Sequence, residues 1–399
     1  MPLSSPARPA LAPVRAAAQD VLDPAHLRAA LRVSPADATL AAALRCGAAV
    51  ALAIAVPGLL GRPGLAAFAS LGALTSLYGR YDPYRRRATL LATVGALMTG
   101  TIAAFTLLAA AGTPALVTTA AVALLAAGAT AFCLLVRTGP PGATIVVFAA
   151  GAGLAGAPTL ADVAPRALAA AARGAVARAR DVLADDASWW RTRPAVPALA
   201  AELDAVEEAL DATGVPRGDA GPAVRTTLRA QARSRAGGPW RLPTVRVGVA
   251  GLVAGAVAAV AGLGHAAWAT MGSTAVLQGE SARHAVVRAL QRGAGTVAGA
   301  LLAWPLLAAP LGFWGTAAVV VVLQTVTETI VGRHYGLAML TITPMALLMT
   351  SLAHPADPSA LALDRALDTV LGAVVGVLAV VLVHPRTRRR ASETPGPPR

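Results

Sequence analysis

Apolar residues run along this chain in long uncharged blocks, separated by short polar turns. Between Arg246 and Glu280 the only ionisable side chain is His265, and between Arg292 and Glu328 there is none. Each block has room for two helices of the roughly 20 residues that cross a bilayer. Polar and apolar positions do not alternate as they would in the strands of a membrane barrel. The pattern therefore predicts an all-α, polytopic helical membrane protein. A first group of spans is expected at about 42–60, 65–79, 88–111, 115–136 and 142–158. A second is expected at about 246–264, 266–279, 291–309, 313–331, 335–353 and 363–384. The stretch 160–180, LADVAPRALAAAARGAVARAR, stands where a sixth span of the first group belongs. It carries Arg166, Arg173, Arg178 and Arg180, and each mid-span Arg costs roughly 2.5–3.5 kcal/mol on insertion scales. It reads as a degenerate sixth span, with an interfacial amphipathic helix as the rival, giving about 11–12 spans in total.

The breaks divide the chain into five parts: a cytosolic N-terminal segment (1–39), a first membrane domain (40–180), a cytosolic linker or helical module (181–240), a second membrane domain (241–385) and a basic, Pro-rich disordered tail (386–399). Within 181–240, Leu199, Leu203, Val206 and Leu210 share one helical face opposite acidic residues, and an Arg-bearing helix follows. Arg80, Arg85, Arg86, Arg87, Arg137, Arg283, Arg288, Arg292, Arg333 and the tail arginines all fall on one side when the spans alternate. The positive-inside bias makes that side cytoplasmic, with both termini there and the protein in the plasma or inner membrane.

Composition narrows the function. The chain is 56% hydrophobic and only 14% charged, against about 25% charged in soluble proteins. Its net charge of +14 lies in inter-span turns and tails rather than on an aromatic-studded basic stripe, which argues against nucleic acid as a partner. Every basic residue is Arg and none is Lys, which excludes a Walker A motif and a Schiff-base lysine. Cys46 and Cys133 sit in apolar sequence without a CxxC or His partner and read as small buried hydrophobes. Metal-ligand clusters and nucleophile–base motifs are missing from the pattern, so no enzyme activity, metal or cofactor is expected. The expected partners are the lipid bilayer and a small organic anion, with homo-oligomerisation left open.

Several residues carry candidate chemistry. Arg283, Arg288 and Arg292, with Arg87 in the first group, would form an electropositive vestibule that concentrates carboxylates; marking topology and touching lipid phosphates is the plainer alternative. Glu328 is an acid inside an apolar span, with Gln324 four residues before it on the same face and Thr325 alongside. It is a candidate for proton coupling, or for a pair with Arg333 at the surface. Asp368 is a second coupling candidate, three residues from Arg365, with which it could instead pair locally. His265, beside Trp268 at a span start, is either a proton relay or an interfacial histidine. Trp268, Gln324, Thr325 and Arg365 are the candidate polar and aromatic pathway residues. Gly293, Gly295 and Gly299 suit close helix packing.

Arg45 with Gly47, Gly61, Arg87 and the Arg166-Ala-Leu triplet reappear as Arg246 with Gly248, Gly262, Arg288 and Arg365-Ala-Leu, at a nearly constant spacing of about 200 residues. With both groups starting inside, this predicts two parallel repeats of about six helices and a path between the halves.

With those features assembled, the chain resembles the fusaric acid resistance-like (FUSC) family, which includes aromatic acid exporters. The resemblance rests on the span ending near Trp268, the Arg283…Arg288…Arg292 run, Gly295-Thr296 with Gly299, and Arg365, Asp368, Thr369 and Gly372 in RALDTVLGAVVG. FASLGALTSLYG…RRR is a looser copy in the first half. The resemblance covers most of residues 40–175 and 240–385. It implies a membrane transporter, with proton-driven efflux of aromatic or other organic acids as the expected activity. A passive organic-anion channel is the alternative, as is a non-transporting scaffold that uses the 181–240 module.

Overall fold

A computed structural model of the chain describes residues 24–33, 40–79, 82, 84–171, 228–278, 282–354 and 356–382. Most of the 181–240 module, with its expected acidic helix, lies outside the described residues, as does the tail. Among the described residues every regular element is helical. In chain order these are α1 (Pro24–Ala30), α2 (Leu40–Leu59), α3 (Ala66–Ala73), α4 (Tyr84–Ala110), α5 (Ala115–Val136), α6 (Thr144–Leu154), α7 (160–171) and α8 (Leu228–Arg235). They continue with α9 (Arg241–Val260), α10 (Ala266–Val276), α11 (Ala282–Ala308), α12 (Gly312–Ile330), α13 (Tyr335–Ala353) and α14 (Pro358–Leu382). Short 3-10 turns, Pro63–Leu65 and Leu74–Leu77, flank α3.

Six of these helices, α4, α5, α9, α12, α13 and α14, are long and apolar enough to cross a membrane. α11 has 27 residues, but its first half carries Arg283, Arg288 and Arg292. Large apolar side chains such as Leu124, Val260 and Leu301 point outward, where acyl chains rather than water would cover them.

Three expected spans turn out to be short. The stretches 65–79, 142–158 and 266–279 contain only α3 with its 3-10 turn, α6 (11 residues) and α10 (11 residues). An 11-residue helix rises about 16 Å, half of a hydrocarbon core about 30 Å thick. Such a helix is tolerable at membrane depth only when protein covers it. Every residue of α3 is buried, and so is every residue of α10 from Trp268 to Val276. The hydroxyls of α10 are satisfied at close range: Thr270 donates to the Gly251 carbonyl at 2.8 Å, Ser273 to Thr270 at 2.9 Å and Thr274 to Thr270 at 2.8 Å. Of the expected degenerate sixth span, 160–171 forms α7, and residues 172–180 lie outside the described set.

The two groups of helices interlock. α2 packs on α12, and reciprocally α9 packs on α5. Within the second group, α11 lies against α13 and α14, and α10 against α14. Gly61 and Gly262 end the turns after α2 and α9 with left-handed backbone, φ 69° and 74°, a conformation that costs glycine little. The predicted packing glycines divide. A Cβ on Gly295 would fall 2.5 Å from the Gly336 carbonyl oxygen, and one on Gly299 2.8 Å from that of Met339. Gly293 faces open space.

One end of the bundle carries Arg86, Arg283 and Arg333. The other carries the 61–65 turn, the 155–159 turn, His265 and His354.

Candidate functional site

Four helices of the second group, α10, α11, α13 and α14, enclose a cluster of arginines and aromatic rings. Arg292 is ten residues into α11, about 15 Å from the arginine-rich end. Arg365 is seven residues into α14, about 10 Å from the other end. The cluster therefore lies in the middle of the bundle. Arg292 and Arg365 are 3% and 2% exposed. Arg292 donates through Nη1 to the Tyr335 hydroxyl at 2.7 Å. The Arg288 guanidinium lies 4.3 Å from the centre of the Tyr335 ring. It also donates from Nε to the Ala275 carbonyl at 3.1 Å and from Nη2 to Gln278 Oε1 at 3.4 Å. Arg365 sits over the Trp268 ring, 5.0 Å from its centre.

The cluster is rich in donors and poor in acceptors. Arg365 Nε and Nη1, Arg292 Nε, and the hydroxyls of Thr296, Thr343 and Thr369 are buried without a hydrogen-bond partner. Asp368 is fully buried, and neither of its carboxylate oxygens accepts a hydrogen bond. The expected local pair with Arg365 thus does not form, although the two lie on one face of α14. Each orphaned polar group costs about 1–3 kcal/mol when buried. Donors left in this state are able to take up a polar ligand. Three guanidinium groups against one carboxylate leave the cluster cationic, and Trp268 and Tyr335 give it flat apolar walls. Its chemistry suits a small organic anion with an apolar body. The described residues contain no group of His, Cys, Asp or Glu able to hold a metal ion.

The other candidates lie elsewhere. Gln324 and Glu328, both buried, form a separate node between α12 and α2. Gln324 Nε2 donates to Glu328 Oε1 at 3.0 Å and to Cys46 Sγ at 3.3 Å. Thr325 closes over Gly47, where a Cβ would fall 2.2 Å from its hydroxyl oxygen. Arg87 belongs to the first group, its side chain against Gly79. Arg283 is exposed at the start of α11.

His265 connects the cluster to the end opposite the arginine-rich one. Its ring stacks on Trp268 with centroids 4.0 Å apart, and its Nδ1 lies 3.2 Å from Asp364 Oδ2. Asp364, His265, Trp268 and Arg365 thus form a continuous series from the surface inward. Tyr335 and Arg166 are functional candidates that sequence reasoning passed over. Tyr335 follows a histidine at a span start, where an aromatic ordinarily reads as an interfacial anchor.

Burial holds His265 below its ordinary value of 6.5, outweighing Asp364. His354, at the end of α13, is lowered first by burial and then by Arg166. A histidine lowered on folding binds fewer protons folded than unfolded, so its contribution to stability is complete above about pH 6.5. It is lost as pH falls from there towards the folded-state value. Melting temperature in detergent should therefore drop between about pH 7.5 and about pH 5.5. The drop should be smaller in His265→Asn and in His354→Asn, each measured against the parent. An identical pH profile in both variants and the parent would contradict this assignment.

No solved structure matches the chain. An uncharacterized membrane protein of Bacillus subtilis (strain 168), YvaC, is 30% identical over 152 residues, which is 37% of this chain and 24% of that relative. The match thus covers about a quarter of the relative's length. The model of the fusaric acid resistance protein-like family matches residues 252–379, which contain α10 to α13 and nearly all of α14 with the whole arginine–aromatic cluster. Residues 252–379 of this multi-pass membrane protein are therefore similar to the fusaric acid resistance protein-like family.

Proposed function

We propose that the protein transports small organic anions, outward and coupled to proton movement, across a plasma or inner membrane, with its arginine-rich end in the cytoplasm. The observation that carries this reading is the mid-bundle pair Arg292 and Arg365, buried with orphaned guanidinium donors between two aromatic rings. A carboxylate is the group that satisfies such donors in a bidentate fashion. Aromatic or aliphatic bodies would lie against Trp268 and Tyr335. Exposed Arg283 and half-buried Arg288 stand on the way from the arginine-rich end and would raise the local anion concentration.

Coupling falls to Asp368 rather than to Glu328. Glu328 accepts a hydrogen bond from Gln324 inside a packed helix contact, the environment of a structural acid. Asp368 has no partner on either oxygen and stands one turn from Arg365. An unpartnered acid inside a membrane span is costly and marks ion or proton paths.

Flux of benzoate into proteoliposomes, with and without a pH gradient, tests both parts. The gradient should accelerate flux in the parent and in Glu328→Gln. Asp368→Asn should keep residual flux but lose the acceleration. Flux indifferent to the gradient in the parent would leave a passive anion channel, and absence of flux would overturn transport altogether.

A further inference from the structure

At the end of the bundle opposite the arginine-rich one, a cleft of about 440 Å³ opens between the first group of helices and the end of α13. Its lining includes Arg62, Phe68, Asp162, Arg166 and His354. It is separate from the Arg292–Arg365 cluster and shares no residue with it.

The cleft is cationic in effect. Arg166 is 6% exposed, and its guanidinium lies 4.8 Å from the centre of the Phe68 ring. Its hydrogen bonds are long: Nη1 donates to the carbonyls of Gly153 and Ala155, both at 3.4 Å, and Nη2 lies 3.3 Å from His354 Nε2. The one carboxylate in the lining is engaged elsewhere. Asp162 Oδ2 accepts from the Thr159 amide at 2.8 Å and from its hydroxyl at 2.9 Å, capping α7 rather than closing on Arg166. Arg62 stands exposed at the rim. Leu65 and Phe68 supply an apolar wall. The volume lies within the ordinary range for small-molecule sites, about 300–1,000 Å³.

A second observation concerns sequence position. Arg166 over Phe68 stands about 200 residues before Arg365 over Trp268, the same spacing as the other paired positions along the chain. At this repeated position a guanidinium lies on an aromatic ring in both halves of the chain, Arg365 in mid-bundle and Arg166 at the wall of a surface cleft.

We infer that this cleft is a second binding site, which holds a small organic carboxylate at the surface opposite the arginine-rich end. The carboxylate sits between Arg62 and Arg166, and its apolar body lies on Phe68 and Leu65. The inference goes beyond the mid-bundle site and does not require it to be occupied.

The test uses the full chain in phosphatidylcholine nanodiscs, with benzoate as probe. Ala161, exposed at the cleft rim, is replaced by cysteine and labelled with a hydrophilic methanethiosulfonate; the parent, with Cys46 buried and Cys133 half-buried, gives the background. Millimolar benzoate should slow labelling of Ala161→Cys by about tenfold, and Arg62→Gln in the same background should remove most of that protection. Arg365→Met should retain it while losing benzoate flux in proteoliposomes. Labelling unaffected by benzoate would overturn the inference, as would protection that survives Arg62→Gln or disappears in Arg365→Met. Slowing by added phosphatidylglycerol, with no further effect of benzoate, would assign the cleft to a lipid headgroup and overturn it too. If flux instead persists in Arg365→Met while the cleft is still protected, the mid-bundle reading fails and the cleft stands.

Discussion

Arg365→Met is expected to abolish anion flux while leaving the protein as stable as the parent or more so. The two halves of this result have different causes. A guanidinium that is 2% exposed, with Nε and Nη1 unpartnered, carries a desolvation penalty that its contact with Trp268 offsets only in part: cation–π contacts contribute about 0.5–2 kcal/mol. Even a complete buried ion pair can often be replaced by apolar side chains of similar volume at no cost, or with a gain of about 1–4 kcal/mol, and an unpartnered guanidinium has less to lose. If Arg365 instead held the fold together, its loss would cost about 3–5 kcal/mol, as when one partner of a buried ion pair is removed. Melting temperature therefore separates a ligand-binding arginine from a structural one before any transport is measured. For binding, losing charged hydrogen bonds worth about 1.5–3 kcal/mol weakens affinity for benzoate by roughly ten- to a hundredfold. Arg365→Lys should fall between, because an ammonium keeps the charge but loses the planar fork and its fit over the indole. Benzoate binding to protein in nanodiscs, read beside the melting curve, tests this. A strongly destabilised Arg365→Met that still binds benzoate with parental affinity would contradict the assignment.

The sequence made some of this site readable and hid the rest. Arg292, Arg365, Trp268 and Asp368 stood out because charge and large aromatics are rare in apolar blocks. The Gln324–Glu328 contact followed from their spacing of four on a helix, which needs no tertiary information. Tyr335 was hidden because its partner, Arg292, belongs to another helix, and nothing local marks an aromatic that receives a long-range hydrogen bond. The short helices α3 and α10 were hidden for another reason. A membrane span and a helix buried in protein on every side are both apolar all round, so the pattern of FASLGALTSL and WATMGSTAV fits either. Only the surrounding helices decide. The cleft around Arg166 was obscured by its own arginine, which weakened the segment as a span without indicating that Phe68 and His354 would lie beside it.

Gly372→Val is expected to be the most damaging single change to the fold. A Cβ on Gly372 would lie 2.3 Å from the Ala269 carbonyl oxygen and 2.9 Å from both the Gly272 Cα and the Ser273 amide nitrogen. These are backbone atoms of α10, so no rotamer change relieves the clash; the two helices must separate. Small residues are what let membrane helices approach this closely, and their dispersion contacts hold the helices together where lipid supplies no hydrophobic drive between them. Overpacking a tight core costs about 1–3 kcal/mol, occasionally more. Gly372→Ala should reach the upper part of that range, and the branched valine should exceed it. The consequence extends to function, because α10 carries Trp268 and α14 carries Arg365 and Asp368. Moving the helices apart lifts the indole from beneath the guanidinium, so flux should fail even in the alanine variant if it still inserts. Gly293→Ala supplies the control: nothing lies within 4 Å of its added Cβ, and alanine favours the helix by up to about 1 kcal/mol. Thermal melting of the three variants in one detergent should rank Gly293→Ala at or above the parent, Gly372→Ala well below it and Gly372→Val lowest. Equal melting temperatures for Gly293→Ala and Gly372→Ala would mean that α10 and α14 do not make this contact.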